Sequence, residues 1–161
     1  MRFYIKQKVF TLKDKFNVFD ETQNQKYQVK GKFLSITNKL ELLDMEGKLL
    51  LRSNRKVFTF MPKYYIYDSQ NQLVAEIKKV FSILPKYKLT VLGKELKVDG
   101  KFFAHNFFIL DNSQTLASIS KRVISWGDTY EIDILSEENK EIFLFVVIII
   151  DQTIHEKKRR Y

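Results

Sequence analysis

The sequence predicts a mainly β protein: a closed barrel of about twelve antiparallel strands around a central, hydrophobic C-terminal helix. Three observations predict this fold: an internal repeat, apolar segments that alternate with polar turns, and one apolar run too short to cross a membrane. The chain has 161 residues, which is about the size of one domain with a single sizeable core. We therefore expect residues 1–161 to form one domain.

A short pattern occurs six times, and each copy has a basic residue, then two large apolar residues, then a small one. The copies follow one another at intervals of 21 to 24 residues. Such a fixed period marks a repeated supersecondary unit. The copies are QKVFT at 7–11, GKFLS at 31–35, RKVFT at 55–59, KKVFS at 78–82, GKFFA at 100–104 and KRVIS at 121–125.

Between copies, two apolar stretches flank a polar turn that begins with Asp44, Asp68 or Asp111. An aspartate at the start of a turn can accept a hydrogen bond from the backbone two residues later. Each repeat is therefore predicted to be a β-hairpin. Six hairpins give about twelve strands, and closing them into a barrel removes the exposed sheet edges.

The most apolar segment, IFLFVVIIID at 142–151, has nine consecutive apolar residues. A membrane-spanning helix needs about 20, so this segment does not cross a bilayer. Its Val, Ile and Phe content favours a buried strand, whereas Ser136 and acidic residues before it and cations after it favour a helix. Local evidence leaves both open.

The barrel decides between them, because a twelve-stranded barrel has a wide interior and a helix that is apolar on nearly every side is typical of a buried element. We predict a central helix over about 138–156 and a basic tail at 157–161. Asp151 and Gln152 mark where the apolar interior is expected to meet polar surroundings.

Three segments carry a family resemblance: YIKQKVFTLKDKFNVFDE at 4–21, IKKVFSILPKYKL at 77–89 and ASISKRVISWGDTYEIDI at 117–134. Across essentially the whole chain, the sequence resembles the bacterial branch of the LURP-one-related family, whose fold is similar to the tubby C-terminal domain and the phospholipid scramblases. The resemblance implies a closed twelve-stranded barrel around a hydrophobic C-terminal helix. Tubby relatives bind phosphoinositide headgroups through basic surface residues and scramblases act on membranes. No tubby lipid-binding motif aligns with this sequence residue by residue, so no site residue is carried over.

Lys and Arg exceed Asp and Glu by 28 to 19, giving a net charge of +9. This excess favours acidic partners, and it also aids solubility.

Successive hairpins place equivalent positions at similar heights, so the basic pairs of the repeat can form a cationic band for phosphate oxygens. Adjacent strand residues face opposite ways, so we expect one member of each pair to face outward; an ordinary solvated surface is the alternative. The candidate residues are Arg55, Lys56, Lys78, Lys79, Lys121 and Arg122.

A second candidate site is the run of four cations in the tail: Lys157, Lys158, Arg159 and Arg160. These residues can dock on an anionic membrane surface, where each charge contributes about 1 kcal/mol. Alternatively, they complement the dipole at the helix C-terminus and keep the chain end soluble.

Catalytic motifs are absent from the sequence, which also contains no cysteine. His105 and His155 are fifty residues apart and have no spacing that suggests a metal site; we expect His105 to pack near a turn. A turn explains Asp128, and a solvated strand face explains Glu131 and Asp133. With no Gly-rich phosphate loop and no nucleophile motif, we predict a protein that is not an enzyme and has no metal or cofactor.

Aromatic residues recur with the repeat: Phe10, Phe58, Phe81 and Phe103 share one position, which predicts structural layers, and Trp126 is assigned to the core. Nucleic-acid binding by base stacking is therefore the weaker alternative. Two other functions remain: a barrel that binds anionic lipid headgroups or another phosphate-bearing ligand, and a structural or adaptor module for an acidic protein partner.

The N-terminal segment MRFYIKQKVFTLKD has no continuous hydrophobic region, so we expect a cytoplasmic monomer, with attachment to the inner face of the membrane as the alternative.

Overall fold

The computed structural model describes residues 1–6, 15–31, 39–56, 59–124 and 127–158. Twelve strands and a final helix make up the described chain, which confirms the predicted fold class. The elements are β1 (Arg2–Lys6), β2 (Lys15–Phe19), β3 (Gln25–Gly31), β4 (Leu40–Leu43), β5 (Leu49–Lys56), β6 (Lys63–Asp68), β7 (Leu73–Val80), β8 (Lys86–Val91), β9 (Lys94–Lys101), β10 (Asn106–Asp111), β11 (Gln114–Ile124), β12 (Gly127–Ile134) and α1 (Lys140–Lys158). A 3-10 turn, Phe102–Ala104, joins β9 to β10.

The strands form a closed ring in which each strand pairs antiparallel with the next one in sequence, and β1 pairs with β12. Phe3 lies opposite Ile132 across this closing pair. The N-terminal amine of Met1 extends it by donating a hydrogen bond to the carbonyl oxygen of Ile134 at 2.7 Å. Closure gives the first strand and the last strand a partner on both sides, and β1 meets β2 at one pair, Tyr4 opposite Phe19.

Two of the three predicted aspartates, Asp44 and Asp68, open turns with the expected hydrogen bond. Asp44 and Asp68 each accept hydrogen bonds, through Oδ1, from the backbone N–H groups two and four residues later, at 2.8–3.0 Å. Asp20 makes the same pair of bonds between β2 and β3 at 2.9 and 3.0 Å. These bonds shape the hairpin turns at one end of the barrel and confirm the hairpin interpretation of the repeat.

Helix α1 fills the barrel interior. Every residue from Ile142 to Ile150 is buried, and most are fully inaccessible to solvent, so the alternative that this run is a strand is wrong. The physical reason is that the strands of the ring pair with one another, and a helix satisfies its own backbone hydrogen bonds inside an apolar space. The helix begins and ends two residues later than predicted. Among the described residues, no helix is long and apolar enough to cross a membrane.

Gly100, which opens one copy of the repeat, is required by a close backbone approach in β9. Its φ of +137° is unfavourable for other residues, and a Cβ atom there would lie 2.5 Å from both the carbonyl oxygen of Asn106 and the Cα of Phe107. Gly93 in the β8–β9 turn also has a positive φ, +79°, but nothing lies within 4 Å of the corresponding Cβ position.

We expect Gly100→Ala to lower the free energy of unfolding by about 3 kcal/mol, since it combines backbone strain with a clash against neighbouring backbone. Gly93→Ala is the matched control and should lower it by only about 1–2 kcal/mol, the strain of the left-handed conformation. Urea denaturation of both variants measures the difference. Equal losses for the two would contradict the close approach seen in β9.

Candidate functional site

The two ends of the barrel differ, and helix α1 runs from one to the other. We call the end formed by the links after β5, β7 and β9 the upper rim. The first turn of α1 lies at the opposite end, where Tyr27 near the start of β3 donates a hydrogen bond to Glu141 at 2.8 Å. Burial, followed by this bond to a carboxylate, raises the pKa of the Tyr27 hydroxyl.

At the upper rim, the C-terminal half of α1 is held by two buried polar contacts. The hydroxyls of Tyr87 and Thr153 are 2.6 Å apart, and Nδ1 of His105 is 2.6 Å from Oδ1 of Asp151. The His105 ring also packs edge-on against Tyr130, with ring centroids 5.4 Å apart. His105 is therefore packed beside the 3-10 turn as predicted, and Asp151 is where the apolar interior meets polar groups.

Two of the three predicted basic pairs, those on β5 and β7, split between the two faces of their strands. On β7, Lys78 is exposed whereas Lys79 is buried at 8% exposure, so Lys79 does not belong to an outward basic face. On β5, Lys56 is exposed, and the half-buried Arg55 lies opposite the buried Tyr64 with its guanidinium carbon 6.0 Å from the ring centroid. The expectation that one member of each pair faces outward is confirmed on both strands.

The third pair lies elsewhere on the barrel. Lys121 and Arg122 are both exposed on β11, so the expectation that only one member of a pair is outward is wrong for this pair. Strand β11 is separated from β7 by three strands. Arg122 is 3.5 Å from Glu131 on the neighbouring strand. The six candidate cations therefore do not form one continuous patch.

A row of five lysines instead crosses five neighbouring strands on the outer face of the barrel. In the register of the ladder, Lys56 lies opposite Lys63, Lys63 opposite Lys78, Lys78 opposite Lys88 and Lys88 opposite Lys97. We call these residues the lysine row. Of the ion pairs formed within the described part of the chain, the row takes part in one, between Lys97 and Asp99 at 2.6 Å; the hydrogen bond from Lys97 lowers the pKa of Asp99.

On two other parts of the barrel surface, opposite charges lie near each other on neighbouring strands. Lys30 of β3 lies opposite Glu41 of β4, and Glu41 lies opposite Arg52 of β5. Across the closing pair of strands, Arg2 approaches both Glu131 and Asp133, at 3.9 and 3.8 Å. Acidic residues thus balance cations on these strands, whereas five consecutive positions of the lysine row carry the same charge.

Comparison with known proteins assigns the chain to a family. The LURP-one-related family model matches residues 1–151. The chain belongs to the LURP-one-related family. It is similar to the uncharacterized protein YxjI of Bacillus subtilis (strain 168), with 30% identity over 152 residues that cover 94% of this chain and 93% of that protein.

The fold is also similar to the X-ray structure of a protein from Arabidopsis thaliana. The TM-score is 0.66 at 15% sequence identity, and the match covers 94% of this chain and 90% of that one. At this level of identity, the likeness concerns the fold alone. The barrel fold is therefore common to the two chains.

The cationic run of this LURP-one-related protein lies only partly within the described chain. Helix α1 extends through Lys158, so Lys157 and Lys158 belong to the last turn of the helix and not to a separate tail. Arg159 and Arg160 lie outside the described residues. Lys157 and Lys158 therefore lie at the upper-rim end of α1.

The shared aromatic position of the repeat is not a uniform structural layer. Phe81 is 79% exposed and Phe103 is 51% exposed, so the prediction is wrong for these two copies. The reason is that β7 ends at Val80 and β9 ends at Lys101, which leaves both rings in the links of the upper rim. Phe10, Phe58 and Trp126 lie outside the described residues.

Within the described residues, no group of three acidic or histidine side chains is placed to hold a metal ion. Sequence reasoning missed three members of the lysine row: Lys63, Lys88 and Lys97. A partial signal was present, because Lys86 and Lys88 alternate with the buried Tyr87 and Leu89, which assigns them to the outer face. Their alignment with lysines on neighbouring strands requires the register.

Proposed function

We propose that this LURP-one-related protein is a non-enzymatic barrel that binds anionic phospholipid headgroups through the lysine row. The observation that carries the proposal is the register itself, which aligns five lysines on five adjacent strands. Directly opposite like charges destabilise a sheet. Phosphate oxygens brought against the row relieve this repulsion, and lysine ammonium groups bind phosphate as point charges.

The length of the row favours a surface of many headgroups over one small ligand. Neighbouring strands are about 4.8 Å apart, so four intervals extend over roughly 19 Å of the barrel. A single phosphate contacts only a part of that length. Within this proposal, the protein acts in the cytoplasm at the inner face of the membrane, where anionic lipids produce the negative surface potential that attracts lysines.

Vesicle co-sedimentation tests the proposal. The wild-type protein is expected to pellet with phosphatidylcholine vesicles that contain phosphatidylserine and to dissociate as salt is added, because salt screens exposed charges. The triple variant Lys63→Gln, Lys78→Gln, Lys88→Gln is expected to bind about 100-fold more weakly, since each lysine contributes about 1 kcal/mol near an anionic surface.

The matched control removes the same charge from other exposed lysines: Lys15→Gln, Lys30→Gln, Lys48→Gln. These residues lie on β2, on β3 and in the β4–β5 turn, so we expect a much smaller loss of affinity. Equal losses in the two triple variants would show that only net charge matters, and pelleting that ignores phosphatidylserine would refute the proposal. Displacement of the vesicles by single-stranded DNA at low molar excess would favour the nucleic-acid alternative instead.

A further inference from the structure

We infer that Phe60 of the β5–β6 link and Phe81, Ile83 and Leu84 of the β7–β8 link, which we call the apolar patch, insert into the interfacial layer of an anionic bilayer. This inference rests on the proposed function and adds to it a second, apolar contact. It also fixes the orientation of the barrel, with the upper rim facing the membrane.

Four large apolar side chains in these two links are exposed to solvent. The exposed fractions are 90% for Phe60, 79% for Phe81, 98% for Ile83 and 65% for Leu84. Single exposed apolar residues are ordinary, but a contiguous group marks an interaction site. The rings of Phe60 and Phe81 have centroids 6.2 Å apart, so the two links present their apolar residues together.

Backbone contacts hold the two links side by side. The N–H of Lys79 donates a hydrogen bond to the carbonyl oxygen of Pro62 at 3.0 Å, which joins the end of β7 to the first link. Within that link, the hydroxyl of Thr59 donates to the carbonyl oxygen of Met61 at 2.7 Å. The apolar patch is therefore attached to the ordered strands that also carry the lysine row.

The charges around the apolar patch indicate which kind of surface it contacts. Lys56 and Lys63 flank the first link, and Lys78 and Lys86 flank the second, so cations surround the apolar tips. Apolar side chains that enter the acyl boundary beneath a collar of lysines are typical of proteins that lie at a membrane interface. A second copy of the chain carries the same positive collar and is repelled, which leaves the anionic bilayer as the complementary surface.

A fluorescent label at the patch tests the insertion directly. The chain contains no cysteine, so Ile83→Cys offers one position for an environment-sensitive fluorophore. Met45→Cys, 52% exposed in the β4–β5 turn at the opposite end, is the matched control. With phosphatidylserine-containing vesicles, we expect the label at 83 to shift to the blue and to be quenched by nitroxide on the lipid acyl chain, and the label at 45 to do neither.

The unlabelled variant Ile83→Ser, Leu84→Ser provides a second measurement. It is expected to bind these vesicles about tenfold more weakly, because less apolar surface is removed from water. Its salt dependence should match that of the wild type, because the lysine row is unchanged.

The outcomes separate the inference from the proposed function. If the protein pellets with the vesicles but the label at 83 responds no more than the label at 45, insertion is refuted while headgroup binding stands. If neither the wild type nor the variants pellet, both are refuted. A blue shift at 83 that grows with protein concentration without vesicles would show that a second copy covers the patch, which overturns the inference.

Discussion

Replacing Phe145 by alanine is expected to lower the free energy of unfolding by about 4 kcal/mol. Phe145 lies in the middle of the apolar run of α1 and is fully buried. Removal of a buried ring loses its transfer free energy and leaves a cavity, which together cost about 3–5 kcal/mol. Strands that are hydrogen-bonded into a closed ring limit how far the interior can collapse around the vacated space, so the cost should not fall at the lower end of that range.

Urea denaturation followed by circular dichroism measures this effect, and Phe108→Ala is the matched control. Phe108 is on β10, 40% exposed on the outer face, so its loss should cost no more than about 1 kcal/mol. Losses of equal size at the two positions would contradict a helix packed inside the ring. A smaller m-value for the Phe145 variant would indicate that the interior has loosened before the global transition.

The closed barrel and its central helix could be predicted because both depend on patterns that extend along the chain. The repeat determines the number of hairpins, and Asp44 and Asp68 mark turns by a local hydrogen bond that requires no knowledge of the tertiary structure. The segment 142–150 was ambiguous by itself. It is identified as a helix because the interior of a wide barrel must be filled by some other element. The burial of all nine residues agrees with that argument.

The lysine row could not be predicted, because register depends on the lengths of links and on bulges. A shift between Ile66 and Tyr67, for example, changes which residues of β6 and β7 face each other. The repeat aligns residues that are equivalent along the chain, whereas the row aligns residues that are opposite across strands. Only Lys56 and Lys78 belong to both sets, which is why the predicted pairs contained two of the five lysines.

A shared position in the repeat also failed to predict which side chains are buried at the upper rim. Phe81 and Phe103 occupy the same repeat position as Phe10 and Phe58, and a shared position suggested a shared packing role. The strand before Phe81 ends one residue earlier, and the strand before Phe103 ends two residues earlier. A residue beyond a strand end is no longer constrained to alternate between the core and the surface. The exposed apolar links therefore emerge only when the strand ends are known.

Breaking the buried pair of His105 and Asp151 is also expected to cause a large loss of stability. His105→Ala or Asp151→Ala should each lower the free energy of unfolding by about 3 kcal/mol, because a buried polar group loses a hydrogen-bond partner at 2.6 Å. In a double-mutant cycle, the two losses should be strongly non-additive, with a coupling energy of about 2 kcal/mol. The exposed pair of Lys94 and Asp111 is the matched control, with an expected coupling below about 1 kcal/mol.

This pair also bears on how the helix is positioned along the barrel axis. All residues from 142 to 150 are apolar. If α1 were shifted along the barrel axis, apolar residues would still face the interior, so packing alone only weakly favours one position of the helix. Asp151 can meet His105 only where the 3-10 turn after β9 presents it, and such a buried polar contact can select one register. The double variant His105→Phe, Asp151→Leu should therefore recover most of the lost stability while hydrogen exchange in α1 becomes faster. Recovery with unchanged exchange would refute the positioning role, and a coupling no larger than that of Lys94 and Asp111 would refute the contribution of the pair to stability.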